Sequence, residues 1–330
     1  MAALLHVAPA LGTTSGSSIY WGAYMNGQNT YGYYYGGSWA DAPWDTKTWS
    51  KFESNAGKKV SIVHWGMTAP WINKTFADYT PTFERVRSHG ELNAVSMSTR
   101  SESTRAIANG KYDSALRTWA RGAAAWGYPF FFLLDVEMNG TWEPYSPGVN
   151  GNSAADFVAM WRHFHTIADQ AGATNVTWVW CPNVDPWNRF TPYNQLYPGD
   201  AYVDWTCLDG YNKDGTQSFS WLFGSSYAKL LQLAPKKPIM IGQTSSVDGG
   251  SGKAAWIKDA LSTQLPNSFP RVKALLWFNW RIYEKSKWWS SPIESSSTAQ
   301  SAFRSAISSP YYVPGGALGS LPVKSKIPEP

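Results

Sequence analysis

Eight short apolar runs, separated by helix-forming stretches, constrain this chain more than any other feature of it. The runs cover 18–26, 58–66, 91–98, 129–137, 175–183, 203–211, 237–244 and 272–280. Several are apolar throughout, Phe130-Phe-Phe-Leu-Leu134 being the plainest. A strand that is apolar on both faces must be covered on both, as in a parallel sheet. Amphipathic stretches lie between the runs at 113–126, 153–171, 226–235 and 252–265, a shorter one at 101–109, and 298–308 closes the series. Eight strands alternating with helices predict an α/β chain, a single-domain (β/α)8 TIM barrel over 18–308. The alternative, a doubly wound open sheet, usually carries a Gly-rich phosphate turn after its first strand, and Gly22-Ala-Tyr-Met-Asn-Gly27 is not one. Residues 1–17 read as a leader or the remnant of a signal peptide, so a secreted protein is expected. Residues 309–330, rich in Pro, Gly and Ser, read as a disordered tail or linker.

The net charge of +5 comes from scattered basic residues with no stripe or motif among them, which argues against a nucleic-acid partner. No apolar run approaches the roughly 18 residues a membrane span needs, so no membrane partner is expected either. A monomer is the expectation. Cys181 and Cys207 fall in neighbouring strands. Two buried free thiols are expected, with a bridge as the alternative, and two cysteines build no disulfide scaffold or Cys-based zinc site. The five histidines form no ligand group, since His163 and His165, two apart on a helix, point in different directions. No metal and no cofactor are expected.

The chemistry of such a barrel belongs at the C-terminal ends of its strands. Those ends read Tyr24-Met-Asn-Gly27, His64-Trp-Gly66, Asp135-Val-Glu-Met-Asn-Gly140, Trp180-Cys-Pro-Asn183, Asp209-Gly-Tyr-Asn212, Gln243-Thr-Ser245 and Trp277-Phe-Asn-Trp280. Aromatic, amide and carboxylate groups therefore converge on one rim, in a chain holding 20 Trp and 18 Tyr. Rings stack on pyranose faces while amides and acids bind hydroxyls, so a carbohydrate cleft is expected. Trp65, Asn139, Trp142, Trp180, Asn183, Trp277 and Trp280 are its candidate binding residues. Glu137 ends an apolar run, where desolvation raises a carboxyl pKa and suits it to donate a proton. A retaining glycosidase needs a second carboxylate about 5 Å away. Strand seven offers Gln243, an amide, while Asp209, Glu143, Asp248 and Glu284 are other acids near the rim.

On Glu137-Met-Asn-Gly-Thr-Trp142, Thr177-Trp-Val-Trp-Cys-Pro-Asn183, Tyr197-Pro-Gly-Asp-Ala-Tyr-Val-Asp-Trp205, Asp209-Gly-Tyr-Asn212 and Lys237-Pro-Ile-Met-Ile241, the chain resembles glycoside hydrolase family 26. That family includes β-mannanases, β-1,3-xylanases and mixed-linkage β-glucanases. The resemblance implies Glu137 as acid/base, Tyr211 as the tyrosine that orients the nucleophile, and Trp142, Trp180 and Trp280 as cleft aromatics. Gln243 stands at the position of the family's nucleophilic glutamate, either as an exchange that traps substrate or as the natural residue of a binding protein or of an enzyme that uses another of the rim carboxylates, for example as a base on water in an inverting scheme. Val136 replaces the His that the mannanases carry before the acid, Leu133 lies in the stretch where they tend to carry Arg, and Asp135 and Gly148-Val-Asn-Gly-Asn152 resemble the glucanase-type members. The implied activity is endo-hydrolysis of a β-1,3-1,4-glucan of the lichenan type by a retaining mechanism. β-Mannan and β-1,3-xylan are alternative substrates, and a non-catalytic carbohydrate-binding barrel is the alternative of another class.

Overall fold

The computed structural model describes residues 18–27, 40–100, 102–248, 252–284, 287–316 and 318–330. The leader reading of 1–17 lies outside them. Eight parallel strands, β1 Ile19–Met25, β2 Ile62–Thr68, β3 Leu92–Ser98, β4 Phe130–Leu134, β5 Val176–Trp180, β6 Trp205–Asn212, β7 Ile239–Ser246 and β8 Val272–Asn279, pair in sequence order. β1 also pairs with β8, Tyr20 opposite Ala274 through Met25 opposite Asn279, so the sheet closes on itself. Each of the eight apolar runs overlaps one strand of the (β/α)8 barrel, with β2, β6 and β7 extending one or two residues beyond their runs. Helices α1 Thr46–Ala56, α2 Phe76–His89, α3 Thr104–Ala108, α4 Asp113–Trp126, α5 Ala154–Gln170, α6 Tyr193–Leu196, α7 Phe219–Leu233, α8 Lys253–Asp259, α9 Leu265–Ser268 and α10 Ser297–Ile307 occupy the crossovers and the closing segment. A hairpin of β9 Arg281–Glu284 and β10 Lys287–Ser290 follows β8.

Two helices depart from their sequence reading for local reasons. α7 begins well before residue 226 because the Ser218 hydroxyl accepts the Trp221 N–H and caps it. The stretch read as one helix over 252–265 widens into a π-turn at Ala260–Gln264, just ahead of Pro266, whose ring removes an N–H and crowds the preceding turn.

Strand alternation sorts the core into two layers. Trp21, Trp65, Val95, Phe132, Trp178, Trp180, Ile241 and Trp277 point outward into the layer beneath the helices. Tyr20, Ile62, Leu92, Phe131, Leu133, Val179, Met240 and Leu276 fill the barrel interior. Cys181 and Cys207 lie in that interior and are joined as a disulfide, which corrects the expectation of two free thiols. Adjacent inward positions on neighbouring strands bring the two sulfurs together.

The tail reading of 309–330 is also corrected. Tyr312–Val313 form β11, which pairs with β1, and Ile327 is buried in the barrel interior cluster. The Ile327 N–H donates to Thr177 Oγ1 (2.9 Å) and Lys326 Nζ lies 2.8 Å from the Asp204 carboxylate. An open barrel bottom would leave interior side chains wet, and this segment covers it despite its loop-like composition.

Candidate active site

The chain leaves β4 through two residues in the left-handed region, Asp135 at φ 47° and Glu137 at φ 58°. Side chains other than glycine take that conformation at a cost, so the surroundings must hold it. Asp135 N donates to Met97 O (2.8 Å), and its carboxyl accepts the Thr99 N–H (2.6 Å) and faces the Thr99 hydroxyl (2.7 Å). Glu137 N donates to Cys181 O (2.8 Å), and the Tyr145 hydroxyl donates to Val136 O (2.6 Å). The turn is thus tied to β3, to the end of β5 and to the following loop, which fixes where the Glu137 side chain emerges.

Trp142 folds back over this turn, and its indole N–H donates to Glu137 Oε2 (2.7 Å). Gly140 makes that possible, since a Cβ there would sit 2.5 Å from the Trp142 ring. Burial pushes the Glu137 pKa above the usual carboxylate range, against hydrogen bonds from Trp142 and Asn183 and the Lys213 charge, which lower it. Asp135, buried more deeply, is pushed up to about 8 by desolvation; the Thr99 bonds lower it and the charge of Glu143 raises it.

Opposite, on β7, Gln243 accepts a hydrogen bond at Oε1 from the Tyr211 hydroxyl. The structure therefore brings Glu137, Tyr211, Gln243 and Trp280 into one cleft, together with Tyr24, Ser96, Glu143 and Phe278. Tyr24 stacks on Trp280 (centroids 5.5 Å apart, planes 11° apart) and on Phe278 (6.0 Å, 25°), and Tyr211 meets Phe278 edge-on at 5.4 Å. This is an aromatic wall facing a carboxyl group and a carboxamide. Below Tyr24, His64 is wholly buried and desolvation takes its pKa down to about 3, so its ring is neutral.

Asp209 lies beneath the floor, paired in register with Gln243. Burial lifts its pKa well above the carboxylate range, the charge of Glu137 adds to this, and the Gln243 N–H opposes it. Gly242 leaves the room for this packing, because a Cβ there would come within 2.4 Å of Cys207 Sγ and 2.7 Å of Asp209 Oδ1. Asp248 is exposed and accepts the Ser295 hydroxyl at 3.3 Å, and the Glu284 side chain lies outside the described residues.

Four of the expected binding residues sit elsewhere than in the cleft wall. Trp65, Trp180 and Trp277 are fully buried among helices, against Phe83, Tyr197 and Phe303 respectively. Alternation explains this, since their neighbours on the strands, His64 and Phe278 among them, take the inward positions. Asn139 is buried and forms a clamp with the backbone of Asn183, accepting its N–H (2.8 Å) and donating to its carbonyl (2.9 Å). Asn183 in turn hydrogen-bonds Glu137. Trp142, 46% exposed, is at the rim as expected. Tyr24 and Phe278 stood in the strand ends read from the sequence but were not singled out as binding residues, although counting in twos back from Trp280 reaches Phe278.

A closed (β/α)8 barrel whose fourth strand end carries a buried glutamate, facing the carboxamide of Gln243 across an aromatic cleft, has the layout of a glycosidase scaffold with one of its two carboxylate stations filled by an amide. The sequence profile described as Glycosyl hydrolase family 26 matches residues 44–248, more than half of the chain, and the protein belongs to that family. Endoglucanase H of Acetivibrio thermocellus is 31% identical over 284 residues, 82% of this chain, and the chain spans 30% of that relative's length. Among solved structures, a modular endo-β-1,4-mannanase from Cellulomonas fimi superposes with a TM-score of 0.66 at 16% identity, over 93% of this chain and 75% of that one. The catalytic domain of a Bacillus sp. JAMB-750 endo-β-1,4-mannanase does so with a TM-score of 0.64 at 18% identity, over 95% and 92%. At such identities the likeness concerns the fold.

Proposed function

We propose that the cleft is that of an endo-acting, retaining glycosidase for β-1,3-1,4-glucan, and that this chain binds the polysaccharide while turning it over very slowly. The observation that carries the reading is the pairing of a buried Glu137, its pKa raised by desolvation, with a Tyr211–Gln243 couple across one aromatic cleft. In the reaction, Glu137 protonates the glycosidic oxygen as the residue at position 243 attacks the anomeric carbon, and Glu137 then takes a proton from water. Tyr211 holds the side chain at 243 in line by its hydroxyl. Trp142 stabilises the Glu137 carboxylate that forms on proton donation. An amide carries no negative charge, so Gln243 leaves the attacking role unfilled while preserving shape and binding.

The choice of β-1,3-1,4-glucan over mannan rests on Val136, Leu133 and Asp135, and the similarity to an endoglucanase over 82% of the chain agrees with it. Export is supported by the Cys181–Cys207 bridge, a bond that persists in oxidising compartments. The test is release of reducing ends by the Gln243→Glu form from lichenan, β-mannan and β-1,3-xylan. Lichenan cut at least about tenfold faster, a difference of about 1.4 kcal/mol in the barrier, supports the assignment. Mannan or xylan cut fastest replaces the substrate, and cleavage of none of them refutes the reading.

A further inference from the structure

Outside the cleft, the chain presents two large aromatic rings to solvent side by side. Trp187, on the loop after β5, is 54% exposed, and Trp221, near the start of α7, is 42% exposed. Their centroids are 5.0 Å apart at 70°, and the Arg189 guanidinium lies 4.5 Å from the Trp187 ring centre. Leaving two indoles in water is unfavourable, and the loop that carries Trp187 is firmly built. The Asp185 carboxylate accepts the N–H groups of Arg189 (2.9 Å) and Phe190 (3.0 Å), and Lys229 Nζ donates to Asn188 Oδ1 (2.6 Å) and Asp185 O (3.2 Å).

Between the same loop and the later turns of α7 is a cavity of about 410 Å³ walled by Asn188, the residue after Trp187, with Phe190, Tyr193, Asn194, Lys229 and Gln232 among others. Trp221, Lys229 and Gln232 fall on one face of α7 at spacings of eight and three, a track of roughly 16 Å. Phe190 also meets Trp142 edge-on at 5.0 Å, and Trp142 is the donor to Glu137. The cavity thus adjoins the cleft through a shared aromatic partition.

We propose that Trp187, Trp221 and this cavity form a second, non-catalytic saccharide-binding site, which takes a stretch of the same β-linked polysaccharide outside the cleft. The proposal rests on the carbohydrate reading of the cleft. Its chemistry is that of a sugar site: exposed ring faces for pyranose C–H groups, and amides and an ammonium for hydroxyls. A protein partner would need about 800 Å² of surface around an apolar centre, whereas here two rings share a loop and a helix with a polar-walled cavity.

Isothermal titration of the chain with a mixed-linkage β-glucan tetrasaccharide, beside native electrophoresis in gels cast with the intact β-glucan, tests it. The expected result is two tetrasaccharides per chain for the parent and one for Trp187→Ala/Trp221→Ala. Retardation by the polysaccharide should weaken at least about fivefold in the double variant, since linked sites gain by avidity. Trp221→Ala alone, a change on a helix surface, should lie between them, and an unchanged melting temperature excludes misfolding. One tetrasaccharide in both parent and double variant overturns this site and leaves the cleft reading intact. Two in both places the second site elsewhere, and none in the parent refutes both.

Discussion

Replacing Asp135 by Asn should stabilise the protein increasingly as the pH rises. In the fold, burial moves the Asp135 pKa from 3.8 up to about 8. Between those values the unfolded chain releases this proton and the folded one keeps it, so the stability contributed below the unfolded pKa is lost as pH rises toward the folded pKa. Each pH unit costs about 1.4 kcal/mol, so from pH 5 to pH 7 the loss is about 3 kcal/mol. Asn has the same shape and no proton to lose. Its Oδ1 can accept the Thr99 N–H and its Nδ2 can donate to the Thr99 hydroxyl, the two partners that hold Asp135 at 2.6 and 2.7 Å. The quantity to measure is the difference in unfolding free energy between parent and variant, from urea titrations at pH 5, 6 and 7. Taking the difference cancels the other buried titrating groups, among them Asp209 beneath the cleft and Glu91, whose carboxyl burial pushes up to about 7. The gap should widen by about 3 kcal/mol in favour of Asn, or roughly 5 °C in melting temperature for a chain of this size. A gap that stays constant would mean that Asp135 is an ionised carboxylate held by Thr99, and the account of its burial would be wrong.

Trp142→Phe keeps a ring against Phe190 but removes the N–H donor to Glu137. In the Gln243→Glu form it should lower kcat/KM about tenfold, the lower end for a hydrogen bond to a charge because Trp142 is half exposed. The basic limb of its pH–rate profile should move up, since that donor holds the Glu137 pKa down. Lys253, buried beneath the hairpin, donates to Ser290 O, Pro292 O and Ser295 Oγ, and burial takes its pKa down to about 7. Lys253→Met should cost roughly 2–4 kcal/mol by leaving the Ser290 and Pro292 carbonyls, the two acceptors a neutral amine still serves, unmatched, read as a lower melting temperature at pH 9. The penalty should shrink as pH falls from about 10 toward 7, because a lysine with a depressed pKa loses its stability in that direction.

The barrel was legible because its signal is periodic and redundant: eight buried strands each announce themselves, and a misplaced boundary in one does not disturb the rest. Glu137, Tyr211, Gln243 and Trp280 were legible as polar or aromatic residues at strand ends. Trp65, Trp180 and Trp277 were not, because being apolar at a strand end fits both the helix layer and the cleft. Trp65 and Trp277 went to the helices by the parity of their strands, which a one-residue slip in register would have reversed. Composition also misled over 309–330, where a single buried Ile327 and a two-residue strand decide the outcome against a loop-like background. The disulfide depended on two inward positions on adjacent strands falling level, which pairing register alone reveals.

In the proposed mechanism, position 243 is the station of the attacking carboxylate. The most direct measurement is the rate of reducing-end release from lichenan by the chain as it stands, beside its Gln243→Glu form, at matched concentrations and pH. The expected result is a gain of at least about 10³-fold in kcat with binding little changed, since losing a nucleophile removes several orders of magnitude. Comparable rates from the two forms would show that another group makes the attack, and the roles assigned to Gln243 and Tyr211 would fall.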